Sequence, residues 1–162
     1  GEPSDHYLTR MDFIPSSNEV MIQQLNRLQN TNKVWIGNII NMTVKNIMTE
    51  TDKAFLDVHD DTRWLDQEKY FTWTSERDGW KHLYKVSRDG KEIKLITKGD
   101  FDVVEINCID TKNGYVYYIA SPHNYTQRYL FRSRIDGTGK VERVTPQTMA
   151  GQSSYQMSDD AK

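Results

Sequence analysis

The chain has 162 residues, a formal net charge of −2 and a pI near 6.1, and this length suits one domain with a sizeable core. Its 21 Lys and Arg residues are scattered, without a run of five or more, which argues against a nucleic-acid-binding surface. No apolar run approaches the roughly 20 residues of a membrane helix, and we expect no signal peptide within the given residues.

Runs rich in β-branched and aromatic residues, separated by turn residues, predict strands along the whole chain. In chain order the predicted strands are residues 6–13, 20–25, 33–39, 42–48, 63–65, 69–75, 81–87, 92–97, 102–109, 115–121, 128–135 and 140–145. Residues 152–157 resemble the first strand of a further unit. One rival to an all-β fold is helix propensity in residues 21–28, but the β-branched runs and the turn spacing elsewhere outweigh it.

The predicted strands repeat with a fixed period. Thr49, Thr97 and Thr145 each end a group of four strands, and successive threonines in this series are 48 residues apart. The turn Asp89-Gly90, a hairpin signal between two β-rich runs, recurs as Asp136-Gly137. Four short strands in about 48 residues are typical of one β-propeller blade.

We therefore expect an all-β, partial β-propeller, with residues 1–162 as a fragment of one propeller domain. Its antiparallel blades should lie at approximately 6–49, 55–97 and 102–145, and an incomplete blade should begin at 152. Three blades do not close a ring, which typically has four to eight. Either blades outside this chain or another copy should cover the end faces, and we expect the chain to be cut from a longer protein.

The sequence predicts no catalytic constellation and no cofactor. Residues 151–155 lack the second Gly that a nucleophile elbow requires. Asp57, Asp60 and Asp61 lack the alternation and the central Gly of a calcium loop. Cys108 lies in an apolar run and is predicted to be a small buried hydrophobic residue.

The four histidines show no metal-ligand spacing with Cys or with one another. His82, at the start of a predicted strand, is expected to pack beside Trp80 and bond to the backbone. His59 precedes two aspartates, which would favour its charged form, although a solvated connection between blades explains this segment as well.

Residues 74–84, which contain Asp78-Gly79-Trp80, closely resemble a signature in the propeller domain of bacterial dipeptidyl peptidase IV-like serine peptidases. These enzymes belong to the prolyl oligopeptidase group. Supporting segments agree in order and spacing, so that the resemblance covers essentially the whole chain: residues 7–13, 22–30, 50–65 and 96–103.

In that family an N-terminal propeller covers an α/β-hydrolase domain, which holds a Ser-Asp-His triad and removes N-terminal dipeptides with Pro or Ala second. The resemblance implies a non-catalytic segment that gates and shapes the substrate cavity. Its implied partners are the hydrolase domain of the same parent chain and the peptide substrate, and its implied location is periplasmic or secreted. The triad would follow Lys162, and the family's amine-binding Glu pair has no match here.

The resemblance also identifies a candidate site. Asp57, Val58 and His59 match a connection between blades that lies near the outer part of the family's substrate pocket, and we expect them to line it. An alternative function is a free-standing, propeller-like module that self-associates and binds a protein partner.

Overall fold

Twelve β-strands account for the regular structure of the computed structural model, which describes residues 5–58 and 60–158. They are β1 (His6–Phe13), β2 (Glu19–Asn26), β3 (Thr31–Asn38), β4 (Thr43–Thr51), β5 (Trp64–Leu65), β6 (Tyr70–Ser75), β7 (His82–Ser87), β8 (Ile93–Leu95), β9 (Val103–Asp110), β10 (Tyr115–Ala120), β11 (Tyr129–Arg134) and β12 (Glu142–Arg143). They form three four-stranded sheets, β1-β2-β3-β4, β5-β6-β7-β8 and β9-β10-β11-β12. Within the described ranges there is no α-helix, and hence none that could cross a membrane.

The all-β prediction is confirmed, and the helical alternative for residues 21–28 is wrong. Residues 21–26 belong to β2, which pairs antiparallel with β1 on one side and β3 on the other, and residues 27 and 28 lie in the turn that follows. Met21, Gln23 and Leu25 are buried, whereas the residues between them are half-buried. This period of two belongs to a strand, and it outweighs local helix propensity because it buries one face of the sheet.

The expected strand at residues 152–157 is absent from the structure. One parallel bridge joins Gln152 to Arg128, and no strand follows it among the described residues. The segment is instead held by side chains, since Asn107 Nδ2 donates to the carbonyl of Tyr155 at 3.3 Å. A strand needs a neighbouring backbone to complete its ladder, and side-chain contacts supply only isolated bonds.

The chain divides into two compact units. The first contains residues 5–71, apart from 59, together with residues 87–92. The second contains residues 72–86 and 93–158.

In the first unit, the Asp89-Gly90 turn packs directly on β4. Gly90 has φ +74°, and a Cβ added to it would collide with the carbonyl of Ile47. Its N–H donates to the carbonyl of Ser87 at 2.8 Å. Gly is required here both by the left-handed backbone and by this close approach.

The second unit contains the equivalent contact. Gly137 has φ +65°, and a Cβ there would lie 2.5 Å from the carbonyl oxygen of Leu95 in β8. Lys98 Nζ donates to the carbonyl of Gly137 at 2.7 Å. The recurrence of Asp-Gly in the sequence therefore reflects a repeated packing contact between a turn and the last strand of the preceding sheet.

The 48-residue threonine repeat has a structural cause in the second unit. Thr97 Oγ1 accepts a hydrogen bond from the Leu83 N–H at 3.0 Å, and Thr145 Oγ1 accepts one from the Leu130 N–H at 2.8 Å. Both threonines are buried. Thr49 differs, because it is exposed and its hydroxyl donates to Asn46 Oδ1 at 3.3 Å. A hydroxyl therefore replaces a backbone acceptor only where the last strand is short.

The core of the second unit is built on aromatic rings. Phe101, Tyr118 and Phe131 stack with centroids 6.2–6.3 Å apart, distances typical of stabilising aromatic pairs. Tyr118 is fully buried, and its hydroxyl hydrogen-bonds Ser133 Oγ at 2.9 Å. Burial raises the pKa of Tyr118 to about 12, although the bond with Ser133 opposes this rise.

Candidate functional site

The connection between β4 and β5 carries the predicted site residues, and it lies within the first unit. It begins as a side-chain-capped turn, because Asp52 Oδ1 accepts the N–H groups of Ala54 and Phe55 at 2.6 and 3.3 Å. The Asp52 N–H donates to the carbonyl of Asn30 at 3.0 Å. An aspartate is well suited to this position because its short carboxylate can satisfy backbone donors two residues on.

Leu56 is the first anchor of this connection. Its side chain is buried, and its N–H donates to the carbonyl of Gln29 at 2.7 Å. Gln29 lies in the β2–β3 turn with φ +55°, and its own N–H bonds the carbonyl of Asn26 at 3.0 Å. The backbone after residue 56 is therefore fixed to a turn that belongs to the first sheet.

Asp60 is the second anchor. Its carboxylate accepts a hydrogen bond from the guanidinium of Arg10 on β1, with which it forms an ion pair. The hydrogen bond and the charge of Asp60 raise the pKa of Arg10 above its usual value. The register of β1 against β2 shifts between Leu8 and Arg10, and such a bulge redirects the side chains that follow it.

The two anchors enclose the predicted site residues. Asp57 is exposed, Val58 is half-buried, and His59 lies outside the described residues. The structure thus places Asp57 and Val58 on a short span that is fixed at Leu56 and again at Asp60. That the span lines a substrate pocket stays a prediction.

Asp57, Asp60 and Asp61 do not gather into a cation site. No group of three or more His, Cys, Asp or Glu residues that could hold a metal occurs in the described part of the chain. Asp60 instead pairs with Arg10, which neutralises the charge that a cation would need.

His82 packs in the core of the second unit, as predicted, but its hydrogen-bond partner is a carboxylate and not the backbone. Its Nδ1 lies 2.9 Å from Asp78 Oδ2. Its ring packs edge-on against the ring of Phe101, with the two ring centroids 5.7 Å apart. Burial raises the pKa of Asp78, yet the hydrogen bonds with His82 and the Trp80 N–H lower it, and this pKa lies below its usual value. The Asp78-Gly79-Trp80 signature therefore makes the turn that binds the buried imidazole.

Cys108 does not become the buried hydrophobic residue that its apolar neighbours predict. It is half-buried, and its thiol lies 3.6 Å from the carbonyl of Ser158. Its strand, β9, is at the edge of its sheet, so fewer neighbours cover it.

Sequence reasoning missed two residues that organise these regions. Arg10 lies 50 positions from Asp60, and a single exposed Arg in a strand gives no signal of such a pairing. Asp78 was recognisable only as a turn residue. Its spacing of four from His82 across a turn was the one available clue to their contact.

Three successive four-stranded antiparallel sheets place this chain in the class of partial β-propellers. Solved structures agree. Porphyromonas gingivalis dipeptidyl peptidase 4 matches with a TM-score of 0.77 and 23% identity, covering 91% of this chain and 20% of that one. A Bacteroides ovatus protein named as a dipeptidyl aminopeptidase IV matches with a TM-score of 0.81 and 22% identity, covering 99% of this chain and 25% of that one. At such identities the likeness shows the fold alone.

The family is shown by the sequence itself. The profile of the dipeptidyl peptidase IV (DPP IV) N-terminal region matches residues 1–162, and the chain belongs to this family. A Botryotinia fuckeliana protein named as a dipeptidyl-aminopeptidase B is 25% identical over 150 residues, which cover 85% of this chain and 16% of that protein. An Aspergillus flavus protein named as a dipeptidyl peptidase 4 is 38% identical over 66 residues, which cover 41% of this chain and 9% of that protein. The chain therefore spans less than a fifth of these curated relatives.

Proposed function

We propose that this chain is a non-catalytic propeller segment of a dipeptidyl peptidase IV-like serine exopeptidase. In that role it restricts access to the substrate cavity of an α/β-hydrolase domain in the same parent chain and forms part of the cavity wall. Family membership over residues 1–162 supports this proposal, as do the names of the relatives, which are dipeptidyl peptidases. The chain covers only a small part of each relative, so the peptide-bond chemistry is assigned to the remainder.

The observation that carries the proposal is the doubly anchored connection of the first unit. Leu56 is held through its backbone and Asp60 through its side chain. Asp57 and Val58 lie between them and are not fully buried. A cavity wall must hold a fixed shape to select substrates, and anchoring at both ends gives an irregular segment that property.

An exposed apolar face in the first unit suggests how this segment sits in its parent. Leu8 and Val44 are 73% and 65% exposed. They border a hollow of about 430 Å³ that also involves Ile22, Gln24 and Trp35. Such an exposed apolar face is typical of a contact surface. We assign this contact to a neighbouring blade of the parent. The other proposed partners of the segment are the peptide substrate and the hydrolase domain. The proposed location is periplasmic or secreted.

The same face supports the alternative function, a self-associating binding module. In that case a second copy of the chain would cover Leu8 and Val44. Light scattering on the purified chain tests the alternative. The alternative requires a dimer that Leu8→Lys dissociates and that the exposed control Lys45→Glu leaves intact, and a monomeric chain would exclude it.

The test of the main proposal compares this chain with the full-length protein that contains it. We expect the full-length protein to release the chromophore from a Gly-Pro chromogenic dipeptide and the chain alone to release none. Turnover by the purified chain, retained through successive chromatographic steps, would overturn the proposal.

A second experiment tests the assigned wall. In the full-length protein, Val58→Ala should raise KM for peptide substrates while leaving kcat nearly unchanged, because it removes apolar contact without touching the reacting groups. Lys53→Ala, at an exposed position of the same connection, is the matched control. Equal KM values for both variants and the wild type would remove residues 57–59 from the cavity.

A further inference from the structure

We infer that Arg10 is a positioning residue for the substrate pocket and that it acts through Asp60 to fix Asp57 and Val58, the described residues of the candidate segment. The inference rests on the proposed function, because it assumes that this segment lines the cavity. It deepens that proposal by naming the group that sets the segment's place. Arg10 lies on β1, in the regular sheet, and not in the connection that it holds.

The spacing of the anchors explains why this ion pair matters. Among the residues that the structure describes, the next strand pairing after Leu56 begins at Trp64 of β5. With the ion pair, Asp57 and Val58 lie between two anchors that are only four positions apart, Leu56 and Asp60. A shorter closed span has fewer conformations, so the pair restricts the very residues assigned to the cavity.

The local backbone of β1 supports this role. The bulge lies between Leu8 and Arg10, and Thr9 within it is tied to β2 through its hydroxyl, which donates to the carbonyl of Gln23 at 3.2 Å. The irregularity is therefore held in one conformation. Arg10 and Asp60 face a shallow hollow of about 380 Å³, where a bidentate-capable guanidinium can hold a carboxylate in a defined direction.

The exposure of the pair argues for positioning and against a purely stabilising role. The side chains of Arg10 and Asp60 are 45% and 58% exposed, and ion pairs of this kind contribute little to global stability. Loss of the pair should therefore leave the fold intact and change only the order of the segment. Asp12, whose charge also raises the pKa of Arg10, is a weaker partner on the same strand.

The experiment is a charge swap in the full-length protein. Arg10→Glu and Asp60→Lys are made singly and together, and Lys45→Glu, an exposed charge reversal on β4, is the control. Each single variant should raise KM for a dipeptide-releasing substrate by roughly two- to fivefold, the range that an exposed ion pair supports. The value of kcat should stay within about twofold, and the double variant should return KM towards wild type, because only a direct contact is rescued by exchange.

A second readout follows the segment directly. Limited proteolysis should cleave within residues 57–61 faster in each single variant than in the wild type, and the double variant should restore protection. If single variants match the wild type in KM and cleavage while Val58→Ala still raises KM, the inference is overturned and the proposed wall stands. If Val58→Ala also has no effect on KM, the proposed wall fails, and the inference fails with it.

Discussion

Replacing Gly137 with Ala tests whether the repeated turn contact holds the second unit together. Gly137 has φ +65°, and its added Cβ would lie 2.5 Å from the Leu95 carbonyl oxygen. Gly114 is the matched control, because its φ is +76° but the nearest atom lies 4.0 Å from its added Cβ. Both substitutions place Ala in a left-handed conformation, which costs about 1–2 kcal/mol. Only Gly137→Ala adds a steric clash.

The clash sets the expected difference. Real Cβ atoms essentially never approach heavy atoms closer than 3.0 Å, so the turn and β8 must separate by at least about 0.5 Å, and overpacking of this kind costs about 1–3 kcal/mol more. We expect Gly137→Ala to lose about 2–5 kcal/mol in total and Gly114→Ala about 1–2 kcal/mol. Urea unfolding followed by tryptophan fluorescence measures both. Equal destabilisation by the two variants would refute the packing argument.

Two further predictions concern buried hydroxyls of the second unit. Thr145→Val removes the acceptor of the buried Leu130 N–H and should cost about 1–3 kcal/mol, whereas the exposed Thr49→Val should change stability by less than about 0.5 kcal/mol; urea midpoints that shift alike would contradict this. Burial raises the pKa of Tyr118 from its usual 10 to about 12. Folding therefore favours the neutral phenol. The contribution of Tyr118 to the free energy of unfolding is complete below pH 10 and falls by about 3 kcal/mol between pH 10 and 12. Tyr118→Phe should remove that decline while leaving Ser133 Oγ without its phenol partner, so a variant with the wild-type pH profile would disprove the assignment.

Much of the fold could be predicted because the repeat depends on residues that are close together in the sequence. Asp-Gly turns and strand runs depend on neighbouring residues, and the structure confirms three four-stranded sheets. The segment at 152–157 was predicted as a strand from composition, but pairing depends on a partner backbone that composition does not describe. Cys108 was misjudged for a related reason, since an apolar run does not show that its strand lies at a sheet edge.

The candidate site was predictable only in part. Asp57 and Val58 were identified by resemblance to a family. The ion pair that fixes their segment joins residues 50 positions apart. Such pairs follow from the tertiary path of the chain and from a bulge in β1, and neither leaves a periodic signal in the sequence.

The connections between sheets show where the repeat is broken, and this bears on function. Residues 52–63 separate β4 from β5, whereas the shorter stretch 96–102 separates β8 from β9. If packing alone selected the sequence, equivalent connections would need similar lengths, since each only joins one sheet to the next. The additional residues therefore require another reason, and they include the span that Leu56 and Asp60 hold in place. A long irregular connection that is anchored twice is costly to order, and such local departures from a regular pattern are expected at functional sites. On the proposed function, shortening the connection within residues 57–59 of the full-length protein should therefore change KM for peptide substrates more than it changes the free energy of unfolding.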